Sequence, residues 1–118
     1  MSRNAPGFLP QVAFSILLAL SLRPRHGYEL MQQIEEDSHG KLRLGPGALY
    51  GAIRQLHDDG LIEEVSPESS HERRRYYRLT PAGAARLGAE VEYFEASVSL
   101  AKERRILGNA MRLMPWLS

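Results

Sequence analysis

The chain has 118 residues, 43% of them hydrophobic and 25% charged, with a formal net charge of +1. That balance excludes a disordered or fibrous chain, and the length suggests one domain with a modest core that gains from a partner subunit. The near-zero charge leaves any attraction to nucleic acid to a local patch, and the absence of cysteine excludes disulfides, thiol catalysis and cysteine zinc sites.

Residues 12–22 are apolar, but a bilayer span needs about 20 residues. They also lack the small-residue cleavage site of a signal peptide. The expectation is a cytoplasmic protein without a membrane segment.

Residues 1–9 read as a flexible arm carrying Arg3. In "PQVAFSILLALSL", Pro10 suits a first helical turn, and apolar residues fill more than one stripe, so this helix is largely buried. It stops before Pro24. "RHGYELMQQIEED" reads as a second helix, with Tyr28, Met31 and Ile34 at steps of three and Leu30 alongside. Gly40 closes it, and "KLRL" forms a short connection or strand.

Pro46 opens a third helix, where its missing N–H costs nothing. Leu49, Ile53 and Leu56 share one face at about 100° per residue, and Gly60 is a natural C-cap. "LIEEV" and "RRRYYRL" then read as two strands of a hairpin around the polar segment "SPESSHE". Thr80 and Pro81 start the last helix as N-cap and first residue. Along it Ala84, Leu87, Val91, Phe94, Val98 and Ala101 step three, four, three, four, three, a heptad seam about two and a half repeats long. Gly108 and Asn109 can bend or interrupt this helix; if continuous it spans about 50 Å, more than a domain of this size covers. The seam packs either on its own domain or on a second copy, and the length favours a homodimer. Phe94, Met111, Met114 and Trp116 either line an apolar pocket for a small hydrophobic effector or complete the dimer core.

Three helices, a two-stranded hairpin and a long helix make a mostly α fold: a winged helix-turn-helix over 10–79, followed by a dimerisation helix over 80–118. In such a fold the third helix is the recognition helix. With Leu49, Ile53 and Leu56 inward, Gly47, Tyr50, Gly51 and Arg54 face out. Gly45, Gly47, Ala48 and Gly51 are small enough for close approach of DNA, and the helix N-terminus favours a phosphate. Tyr50 suits a phosphate or a thymine methyl, and Arg54 suits a guanine edge or a phosphate. The competing reading is an ordinary helix surface.

The wing strand tips the balance. "HERRRYYRL" holds four arginines and one glutamate. Arg73, Arg74 and Arg75 can reach flanking phosphates, whereas a plain edge strand also uses arginine to resist aggregation. Glu63, Glu64 and Glu68 would repel DNA, so they must point away or pair with the arginines. Lys41 and Arg43, and Arg25, His26 and Tyr28 at the start of the second helix, are weaker phosphate candidates. For Tyr28 a place in the core competes. His26, His39, His57 and His71 lack metal-site spacing and read as surface or capping residues. With no nucleophile elbow and no phosphate-binding loop, neither catalytic residues nor a cofactor or metal is expected.

These residues also carry a resemblance. "HGYELMQQI" (26–34), "GPGALYGAIRQLHDDGLIE" (45–63) and "RRRYYRLTPAGAARL" (73–87) resemble the PadR family of bacterial transcriptional regulators. The last helix resembles the smaller members, which have one C-terminal helix. The resemblance implies a winged-helix dimer that binds operator DNA, usually as a repressor, and often releases it on binding a hydrophobic or phenolic compound. It implies DNA contacts from Tyr50, the start of the third helix and the wing arginines. The family often has a hydroxyl residue where Ala48 stands, proline where Gly51 stands, and glycine at the wing tip. The rival function is a protein-interaction module whose wing arginines bind an acidic partner.

Overall fold

The computed structural model describes residues 7–66 and 74–106. In chain order they form α1 (Gln11–Ala19), β1 (Arg25–His26), α2 (Gly27–Asp37), α3 (Pro46–Asp58), β2 (Ile62–Val65), β3 (Tyr76–Leu79) and α4 (Pro81–Glu103). The strands form one antiparallel sheet in the order β1-β3-β2. The fold is the expected helix-turn-helix with a wing. Residues up to Leu87 make one compact unit and residues from Gly88 onward a second.

The core comes from the apolar stripes of the first three helices. Ile16 and Leu17 of α1, Leu30 and Ile34 of α2, and Leu49, Ile53 and Leu56 of α3 are all buried, joined by Ile62 and Tyr77 of the sheet. Each such aliphatic side chain contributes about 1.5–3 kcal/mol by leaving water. That burial holds α3 by one side only. Tyr28, for which a core place competed, is instead exposed, while Leu30 takes the inward position beside Ile34.

Two expectations need correction. The wing has a third strand, because Arg25 and His26 pair with Tyr77 and Tyr76 instead of starting α2. A two-residue strand is too short to show a period-two pattern. Its residues are nevertheless committed: Arg25 is buried, and its Nε donates to the Ala19 carbonyl at 2.6 Å, capping α1. The last helix also ends at Glu103, before the interruption that Gly108 and Asn109 offer. Arg105 adopts φ 57°, while the Ile106 N–H reaches the Ala101 carbonyl at 2.9 Å and the Arg105 N–H reaches Lys102 at 3.1 Å. This bond pair is a Schellman stop. At 23 residues α4 is about 35 Å long.

The same stop ends α3. Gly60 takes φ 75°, the Leu61 N–H bonds to Leu56 at 3.0 Å, and both leucines are buried. The chain thereby turns straight into β2. Thr80 caps α4 as expected, accepting the Gly83 N–H on its hydroxyl at 3.0 Å and donating that hydroxyl to the Gly60 carbonyl at 2.6 Å. At the other end of the unit, Arg86 donates to the Gly7 carbonyl at 2.7 Å.

Candidate nucleic-acid interface

Because α3 is anchored through Leu49, Ile53 and Leu56, its opposite side is open. Gly47, Ala48, Tyr50, Gly51 and Arg54 are all exposed. A side chain added at Gly45, Gly47 or Gly51 would meet nothing within 4 Å, so the fold's own packing does not demand these glycines.

Beside this face lies an open cleft of about 570 Å³ lined by His26, Gly27, Tyr28, Tyr50, Arg74, Arg75 and Tyr77. It brings together the start of α2, the first turns of α3 and the root of the wing. The Tyr50 hydroxyl packs on Gly27, in the space where a β-carbon would stand. The α2 N-terminus contributes partial positive charge, and Arg74 and Arg75 add two full charges.

His26 organises the cleft. Its backbone is extended, and its ring Nδ1 accepts the Glu29 N–H at 3.3 Å while Glu29 Oε1 accepts the His26 N–H at 3.1 Å. This is a capping box with histidine in the place usually held by serine or threonine. The ring also meets Tyr76 edge-on at 5.2 Å, and its Nε2 lies 3.0 Å from Arg74 Nη1. Burial pushes the Glu29 carboxyl up, but the His26 N–H and the Arg23 guanidinium at 3.1 Å outweigh it and leave the group below its ordinary value. Burial, and then the Glu64 charge, push the Tyr77 phenol up, so it remains a neutral hydroxyl at physiological pH.

The wing carboxylates behave as the charge pattern requires. Glu64 pairs with Arg75 at 3.7 Å and Glu63 with Arg78 at 3.3 Å. Both pairs are solvent-exposed, so each contributes at most about 1 kcal/mol and yields readily to a competing anion. Arg43 pairs with Glu35 at 3.3 Å, and Lys41 is exposed. Arg73, Met111, Met114 and Trp116 lie outside the described residues. Of the seam, Leu87 is buried and Val91 and Ala101 half-buried, whereas Phe94 and Val98 are more than 40% exposed. Ala84, the first residue of the seam pattern, is exposed, and Glu90, which the pattern passes over, is buried.

The family model described as "Transcriptional regulator PadR-like family" matches residues 16–89. The chain belongs to this PadR-like family. A transcriptional regulator of Mycobacterium tuberculosis is 40% identical over 62 residues, which are 52% of this chain and 55% of that protein. The chain spans 20% to 73% of the length of the curated relatives it matches, the lowest share being of a 37.1 kDa transposon protein of Streptomyces fradiae. Among solved structures, a PadR family regulator from Clostridium difficile is 25% identical with a TM-score of 0.70, covering 84% of this chain and all of that one. The structure of Bacillus subtilis PadR in complex with operator DNA is similar in fold, with 19% identity and a TM-score of 0.61 over 70% of this chain and 47% of that one. The PadR-like family is one of transcriptional regulators rather than enzymes. Among the described residues, no helix is long and apolar enough to cross a membrane.

Within this PadR-like fold the cleft gathers Tyr50, Arg74 and Arg75 with the weaker sequence candidates His26 and Tyr28, and adds Gly27 and Tyr77. The signal for His26 was present as H-x-x-E at 26–29, a capping box in histidine form.

Proposed function

We propose that the chain is a homodimeric DNA-binding repressor acting in the cytoplasm. The exposed first turns of α3 beside the arginine-lined cleft carry this reading. α3 enters a major groove, Tyr50 and Arg54 meet the groove and its edge, and Arg74 and Arg75 hold flanking phosphates. Arg73 joins Arg74 on the phosphates in this reading, and Lys41 and Arg43 add weaker backbone contacts. A second copy, joined through Val91, Phe94, Val98 and Ala101, places a second α3 one helical turn away on a roughly palindromic operator. Of the residues proposed for an effector pocket, only Phe94 lies in the described part, and the dimer seam accounts for it.

The test is a gel-shift titration with the DNA upstream of the chain's own gene against random duplex of equal length. Arg54→Ala should weaken specific binding by about 1–3 kcal/mol if Arg54 reads a base. Equal losses on both duplexes would reduce Arg54 to a phosphate contact. No shift with either duplex would overturn DNA binding and favour the acidic-partner reading.

A further inference from the structure

The cleft contains a conflict between hydrogen-bond donors. A neutral imidazole has one N–H and one acceptor nitrogen. His26 Nδ1 accepts the Glu29 N–H to cap α2, so the proton must sit on Nε2. Yet Nε2 lies 3.0 Å from Arg74 Nη1, and a guanidinium offers only donors. Neither group can serve the other. Moving the proton to Nδ1 would give Arg74 an acceptor but turn a second N–H against that of Glu29. Protonating both nitrogens would set two cations face to face. Glu29 Oε1 is 3.5 Å from Nε2, beyond good hydrogen-bond length, and it already accepts the His26 N–H. The ring is more than nine-tenths buried, and the cleft it lines is the side from which an acceptor oxygen can reach it.

One anionic oxygen in the cleft resolves this, because it accepts from His26 Nε2–H and from Arg74 together. The surroundings suit such a guest. Arg75 and the Tyr50 hydroxyl also line it, and Gly27 leaves the first turn of α2 without a side chain. We propose that His26 and Arg74 form a paired-donor site for a single oxyanion, occupied in the complex by one DNA backbone phosphate. The proposal rests on the DNA-binding reading and adds to it a neutral histidine donor whose tautomer is set by the α2 cap. The same chemistry would accept a free phosphate, so the test separates the two sources.

In the wild-type chain the ring nitrogens of His26, followed by ¹H–¹⁵N correlation, report the tautomer. The expected result is an Nε2–H ring whose signals shift on adding random-sequence duplex. A shift with inorganic phosphate alone, in a chain that binds no duplex, would support the oxyanion site and sink the DNA reading. An Nδ1–H ring, or duplex binding that leaves the ring signals unmoved, would overturn the site while DNA binding stands.

A second arm uses His26→Asn, since asparagine is a good N-cap but lacks the far donor. It should melt like wild type and bind both specific and random duplex about tenfold more weakly. Its salt slope should match wild type, because a neutral donor displaces no counterion. Arg74→Ala should instead reduce the slope by about 0.9. Wild-type affinity in a folded His26→Asn chain would also overturn the proposal, and the ring signals decide the matter should that variant not fold.

Discussion

The Tyr50 hydroxyl fills the space that a side chain on Gly27 would need. This ties the start of α3 to the start of α2 without a bond between them. The obstacle is the tip of a half-exposed side chain, which can swing out. Gly27→Ala should therefore fold normally, with a stability change below about 1 kcal/mol. It should still bind DNA several-fold more weakly on specific and random duplex alike, because Tyr50 leaves the cleft. Unchanged affinity in a folded Gly27→Ala chain would mean Tyr50 acts from elsewhere.

Other glycines divide by what surrounds them. Gly47 and Gly51 sit in α3 with open space where a β-carbon would go. Alanine there should stabilise the chain by up to about 1 kcal/mol per site through helix propensity, while obstructing close approach of DNA. Chemical denaturation and gel shift on the same variants should thus move in opposite directions. A variant that gains stability and keeps full affinity would remove that position from the interface.

Gly83 is the opposite case. A β-carbon on it would collide with the Leu61 carbonyl oxygen, which also accepts the Thr80 N–H at 3.1 Å. Backbone on both sides cannot yield as a side-chain tip can. Gly83→Ala should cost about 2–3 kcal/mol and lower the melting temperature by about 10 °C. A melting temperature within a degree or two of wild type would show that α4 can lift away from Leu61 at little cost.

Much of this arrangement was legible in the residue pattern, for definite reasons. Leu49, Ile53 and Leu56 repeat at helical spacing, and their burial settles which side of α3 is free. Thr80-Pro81 and Gly60 mark helix ends through local chemistry that needs no tertiary context. What escaped the pattern depends on contacts distant in sequence. β1 exists only because Tyr76 and Tyr77 pair with it. The α4 stop uses Arg105 in a left-handed conformation that favours glycine or asparagine, so composition does not announce it. The cleft joins residues about fifty positions apart, and no local spacing reports that His26 faces Arg74.

Glu29 makes the fold sensitive to acid. Despite the opposing effect of its burial, its carboxyl is held below the ordinary 4.5 by the His26 N–H and by Arg23. A depressed carboxylate contributes stability that is present above its unfolded value and lost as pH falls through the folded one. Denaturation from pH 6 to pH 3 should therefore show a steeper loss for wild type than for Glu29→Gln as the pH falls below the ordinary carboxylate value. Parallel curves would show that the capping carboxylate is not coupled to folding.

The second unit carries the prediction about assembly. Tyr93, Phe94, Val98 and Leu100 are 42% to 50% exposed on one helix, and the Tyr93 and Phe94 rings meet edge-on at 5.9 Å. Exposed apolar groups clustered in this way suit the proposed association surface. Phe94, Val98 and Ala101 step four and three, which keeps them on one stripe where two copies can interdigitate. Val98→Glu sets two carboxylates against each other across that stripe. Sedimentation should give a dimer for wild type and a monomer for Val98→Glu. The wild-type melting temperature should rise with concentration, and the variant's should not. DNA affinity should fall with the dimer, because one α3 reads only half a site. A Val98→Glu chain that sediments as a dimer would place the contact on another face of α4.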